Sequence, residues 1–136
     1  MPSPINASAL AVQAATSVVS TTEIVIALSS PVNCDNVQTQ VNLRACVDFL
    51  NSSSGTSITF KVRRGNGITG TLVSNANTWG PFALTASVRS NYSLDASDIP
   101  GLVGGQVYSL TATVAGNSGS PTVETATLQA FTAAQS

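Results

Sequence analysis

The sequence predicts an all-β chain: a single jelly roll or β-sandwich of about eight antiparallel strands, led by an extended N-terminal arm. Three observations carry this reading. Apolar and polar residues alternate at period 2 along most of the chain, as in half-buried strands. Clusters of Gly, Pro, Asn and Ser interrupt the alternation at roughly ten-residue spacing, the rhythm of a sandwich. No segment shows the 3.6-residue period of an amphipathic helix.

In chain order, residues 1–22 are rich in Ala, Ser, Thr and Val with two early prolines, and read as an arm or lead-in strand that docks on something. Residues 23–136 form the domain. "TTEIVIALSS" sets Ile24, Ile26 and Leu28 on one face. "QVNLRACVDFL" alternates Val41, Leu43, Ala45, Val47 and Phe49 against Asn42, Arg44, Cys46 and Asp48. "NSSSG" turns the chain, and "SITFKVR" places Ile58, Phe60 and Val62 inward. These two segments read as an antiparallel hairpin. "PFALTASVR" alternates through Phe82, Leu84, Ala86 and Val88, and "NYSLDASDIPGLVGG" reads as a mixture of short strand and turns. "QVYSLTATVAG" alternates Tyr108, Leu110, Ala112 and Val114 against Ser109, Thr111 and Thr113, and "TVETATLQAF" supplies the last strand.

Composition narrows the function. Hydrophobic residues make up 43% of the 136, but charged residues only 8%, against about 25% in ordinary domains. The polar surface must therefore be Ser, Thr, Asn and Gln. Such a surface is cheap to desolvate and indifferent to salt, which suits repeated contact with other protein copies. The net charge is -1, and the five cations are Arg44, Lys61, Arg63, Arg64 and Arg89. That excludes nucleic acid as a partner, since phosphate binding needs clustered Lys and Arg. No apolar run approaches the roughly 20 residues of a membrane-spanning helix, so no membrane partner is expected. The N-terminus lacks a basic n-region and is not read as a secretory signal.

The stretch "RRGNGITG" contains G-x-G-x-x-G at Gly65, Gly67 and Gly70. A dinucleotide loop needs a helix behind the glycines, whose N-terminal amides hold the pyrophosphate. Here "TLVSNANTWGP" follows, which forms no helix, and no acidic residue lies at the expected distance. The glycines are instead assigned to a tight connection, Gly65 and Gly67 supplying positive φ and Gly70 a bend or bulge.

No other constellation supports catalysis. The chain has no His, which removes Ser-His-Asp and Cys-His nucleophiles. With two cysteines and no His, no zinc site and no cofactor is expected. Asp95 and Asp98 are a thin start for calcium, which takes six to eight oxygens, and read as a turn into Pro100–Gly101. Trp79 in "NTWGPF" is either the cap of a core or interface or, less simply, a sugar-stacking platform. The "KVRRG" cations read as a solvated strand end or a subunit contact. Cys34 and Cys46 lie twelve apart; a disulfide and two free thiols both stay open. Both precede Trp79, which disfavours a disulfide-pinned immunoglobulin domain.

The runs "VNLRACVDF", "GTSITFKVRRGNGITGTLV", "NYSLDASDIPG", "GGQVYSLTATV" and "VETATLQA", spread over residues 24–131, resemble small jelly-roll proteins of tailed bacteriophages and related mobile elements. Those are similar in architecture to trimeric tumour necrosis factor-like and complement-type heads. The resemblance implies a non-enzymatic virion protein. It would be a homotrimer that decorates and cements the capsid surface, with the major capsid protein or another virion protein as partner. It transfers no catalytic residue. It points to the arm (Ile5, Leu10, Val12) for docking, and to Arg63, Arg64 and Trp79 for contacts between subunits or with the shell. The absence of a collagen-like or coiled stalk favours decoration over a fibre tip. The alternative is a fibre-tip or cell-surface adhesion module that binds carbohydrate, with an extracellular location.

Overall fold

A computed structural model describes residues 5–7, 11–18, 21–50, 57–73, 78–85, 87–115 and 122–133, the first two segments and Ala133 by backbone alone. Among these residues there are eleven strands and no helix: β1 (Ile5–Ala7), β2 (Ala11–Val18), β3 (Ile24–Leu28), β4 (Val32–Cys34), β5 (Val41–Leu50), β6 (Ser57–Arg64), β7 (Thr78–Ala83), β8 (Arg89–Asp98), β9 (Gly104–Gln106), β10 (Tyr108–Ala115) and β11 (Thr122–Ala133). All pairings are antiparallel. One sheet runs β2–β11–β5–β8, with β1 continuing the β2 edge of β11; the second runs β3–β10–β6–β7; β4 and β9 form a separate ribbon. The predicted all-β jelly roll is the fold observed.

The alternation in β5 explains the first sheet. Val41, Leu43, Ala45, Val47 and Phe49 are all buried, while Arg44, Cys46 and Leu50 face solvent. Across the sandwich they meet Ile58, Phe60 and Val62 of β6 and Tyr108, Leu110, Ala112 and Val114 of β10 in a single cluster. β11 shows why period 2 falters late in the chain. Its register shifts between Val123 and Thr125, so the inward residues are Val123, Ala126, Leu128 and Ala130. The bulged Glu124 reaches Arg89, which also bonds Asp48 at 3.1 Å.

Three expectations are corrected. β5 and β6 are not a hairpin: β5 pairs with β11 and β8, and β6 with β10 and β7, so the link between them crosses from one sheet to the other. Residues 81–89 are not one strand. β7 ends at Ala83, Leu84 seals the core, and a turn with Ser87 at φ +59° carries the chain to β8, leaving Val88 exposed. "NYSLDASD" is accordingly no mixture of short pieces but most of the ten-residue β8. Phe82 and Tyr92, from the edge strands β7 and β8, stack at 4.5 Å and close that side of the sandwich against Phe49 and Phe60.

β10 departs from its pattern in another way. Ser109 and Thr111 were expected to face solvent, yet both are fully buried. The Ser109 hydroxyl donates to the Gly65 carbonyl and accepts the Gly67 N–H, and the Thr111 hydroxyl donates to Glu23 at 2.6 Å. Residues 65–67 and Glu23 thus cover the outer face of this strand.

Candidate functional site: a loop end held by ion pairs

Three connections meet at one end of the sandwich. Cys34 pairs with Gly104 where the β4–β9 ribbon stops, and Val41 with Asp98 where the β5–β8 ladder starts. Residues 35–40 and 99–103 therefore run side by side between the same two ladders. The first is shaped by Asn36, whose side-chain oxygen accepts the Gln38 N–H at 2.8 Å, and by Thr39, whose hydroxyl accepts the Asn36 N–H at 3.1 Å. Residues 65–70 join them from the other sheet. Gly65 N–H donates to the Val107 carbonyl at 2.6 Å, and an Arg64 guanidinium N–H donates to the Ile99 carbonyl at 3.1 Å.

The glycine loop is a fold device here. Gly65 has φ +89°, the region that favours glycine. Gly70 is required for another reason: a Cβ there would sit on the Arg64 carbonyl oxygen.

Two ion pairs fix this end. Arg64 grips Asp98 with two hydrogen bonds of 2.7 Å, and the Tyr108 hydroxyl donates to the same carboxylate at 3.0 Å. The Asp98 side chain is fully buried while that of Arg64 is 29% exposed. Burial, then the Asp98 charge, push the Tyr108 hydroxyl well above its ordinary pKa. Arg63 grips Glu23 at 2.7 and 3.0 Å and donates to the Gly70 carbonyl at 2.8 Å. That bond, assisted by Thr111 and opposed by burial, holds the Glu23 carboxyl below its usual range.

The residues singled out from sequence land in different places. Arg63 and Arg64 are both engaged within the chain. Trp79 lies on the edge strand β7 beside Phe60, half-buried and packed on the core. Ile5 pairs with Ala133 and Val12 with Thr127, so both lie along β11; Leu10 lies outside the described residues. Cys34 is buried and Cys46 exposed, and both thiols are free; the two open possibilities resolve to no bond. Burial, with the Asp35 and Asp98 charges, raises the Cys34 thiol pKa. Asp95 pairs with Arg44 on an exposed sheet face and Asp98 with Arg64 inside, so the two carboxylates do not converge. Among the described residues no three His, Cys, Asp or Glu side chains gather to hold a metal. Sequence reasoning missed Glu23 and Tyr108 as partners, because each bond spans distant positions. It also passed over the apolar residues of "DIPGLV", whose signal was their place in a turn-rich stretch.

No family model and no curated protein matches the chain. Solved structures do. A chain from the infectious bursal disease virus Gx strain superposes with TM-score 0.56 at 12% identity, over 99% of this chain and 38% of that one. A chain from the crystal structure of the particle of the same virus gives 0.57 at 13%, over 98% and 37%. The Eiger TNF of S. frugiperda gives 0.51 at 10%, over 96% and 93%. The chain spans under two-fifths of the viral chains and nearly the whole of the TNF. The fold is therefore a jelly roll of the kind shared by viral capsid proteins and a tumour necrosis factor. At such identities the likeness is one of fold.

Proposed function

We infer that the chain is a non-enzymatic virion structural protein, a homotrimeric decoration or cement protein on the surface of a phage head. The observation that carries this reading is the match of nearly the whole chain to part of a viral capsid chain. The surface chemistry supports it: a polar, nearly uncharged exterior suits permanent contact with other subunits. The action is mechanical. Each bound copy adds buried area across capsomer junctions, and whatever binds only the intact shell stabilises it by mass action. In this reading residues 23–136 are the domain, and residues 1–22 are the arm that docks through Ile5, Leu10 and Val12. Arg63 and Arg64 act by holding the loop end in shape, and Trp79 contributes the β7 edge to a subunit contact. Light scattering on a sizing column tests the assembly. A mass of three chains of 13.8 kDa is expected, and a monomer at every concentration would overturn the homotrimer.

A further inference from the structure

Seven large hydrophobic side chains are exposed among the described residues, and five of them (Val37, Ile68, Ile99, Leu102 and Val103) belong to the three connections that meet at one end. The other two, Leu50 and Val88, lie at the far end of the β5–β8 ladder, where Leu50 pairs with Arg89. Leu102 and Val103 are 56% and 64% exposed, although the flanking Asp98 and Pro100 are buried and anchor the connection. The fold thus presents these side chains outward from a fixed base.

We propose that this loop end is the surface through which copies of the chain associate; the proposal rests on the homotrimer reading above. Size is the first argument. Five half-exposed aliphatic side chains amount to an apolar patch of a few hundred Å², the scale that marks an interaction site. Each partner in a standard interface buries about 800 Å², an apolar centre with a polar rim. Asn36, Gln38 and Asn66 supply such a rim. Charge is the second argument. The Arg64 guanidinium is neutralised by Asp98, and the Asp35 carboxylate accepts from Asn33 at 2.9 Å. Like ends therefore meet with little electrostatic repulsion. A lipid surface fits less well, because residues 35–40, 65–70 and 99–103 contain no aromatic residue and no cation to hold a bilayer interface. An apolar contact of this kind is insensitive to sodium chloride and strengthened by sulfate.

The test compares the full chain with Leu102→Asp/Val103→Asp, and with Val88→Asp, a comparably exposed site at the opposite end, by light scattering at several concentrations in low salt and in 1 M NaCl (about a 3 Å screening length). Circular dichroism and a melting curve establish that each variant is folded. The expected result is a wild type and Val88→Asp at three chain masses in both salts, and a folded double variant at one. A trimeric double variant overturns the loop-end contact and leaves the homotrimer standing. A monomeric wild type overturns the homotrimer and the contact with it. Loss, in the same double variant, of wild-type binding to phosphatidylcholine–phosphatidylserine vesicles reassigns the patch to lipid and also overturns the proposal.

Discussion

Removing the Asp98 carboxylate is the most informative single change to this fold. Its side chain is fully buried and accepts from both Arg64 and the fully buried Tyr108. In Asp98→Ala the Tyr108 hydroxyl loses this acceptor inside the core, a cost of about 1–3 kcal/mol. Arg64 loses two charge-assisted bonds, but its side chain is 29% exposed and regains water, so about 1 kcal/mol is assigned there. The sum is about 2–4 kcal/mol. With an unfolding entropy of about 2.1 cal/mol/K per residue, 136 residues give about 0.29 kcal/mol/K. The expected fall in Tm is then about 7–14 °C. Asp98→Asn keeps an acceptor for Tyr108 and is expected to lose roughly half as much. Thermal melts followed by circular dichroism, with urea titration to check that m is unchanged, read both values. A fall below about 3 °C for Asp98→Ala, or no coupling to Arg64→Ala in a double-mutant cycle, would refute the account of this network.

Other consequences are open to direct measurement. Gly70→Ala places a Cβ on the Arg64 carbonyl and is expected to destabilise more than Gly65→Ala, where only the φ of +89° is strained and the space is open; equal losses in urea titrations would count against the loop geometry. Glu23 has a carboxyl held below its ordinary 4.5 chiefly by Arg63. A depressed carboxyl stabilises the fold above its unfolded pKa, and that contribution fades as pH falls through the folded one. The Tm gap between wild type and Glu23→Gln should therefore be full at pH 7 and close below about pH 4.5. Iodoacetamide should add one group to the native chain, at the exposed Cys46, and two after unfolding, when the buried Cys34 is released; mass spectrometry of the digests decides.

What the sequence made legible was whatever repeats locally. β5 and β6 announced their inward faces through strict alternation, and the burial of Val41 through Phe49 and of Ile58 through Val62 follows it residue by residue. What it hid was pairing at a distance. A six-residue link reads the same whether it closes a hairpin or crosses a sandwich, and here it crosses between β5 and β6. The run "PFALTASVR" kept its alternation through a turn because Leu84 and Val88 are both apolar, although one seals the core and the other faces water. Ser109 and Thr111 looked like a solvent face because nothing near them in sequence shows that residues 65–67 and Glu23 fold over it. For the candidate site, the "RRG" turn was noticed, but its role was not. Arginine composition shows a charge and does not show the carboxylate waiting 34 or 40 positions away.

The distribution of charge ties the fold to its proposed work. All four arginines lie in ion pairs within the chain, and those pairs take five of the six carboxylates. The two better-buried pairs hold the loop end, while Arg44–Asp95, with side chains 64% and 74% exposed, is of the kind worth at most about 1 kcal/mol. Little charge is thus left to steer a partner from a distance. Association must rest on shape, hydrogen bonds from Ser, Thr, Asn and Gln, and the few aliphatic side chains that the fold leaves outside. Such contacts form without electrostatic acceleration, at rates set by docking alone, and persist across ionic strength. That suits a subunit added to a preformed shell once and retained, better than one that must find and release a charged ligand. The same logic places the decisive residues at Leu102 and Val103, where exposure is greatest, and not at the arginines, whose donors the chain uses on itself.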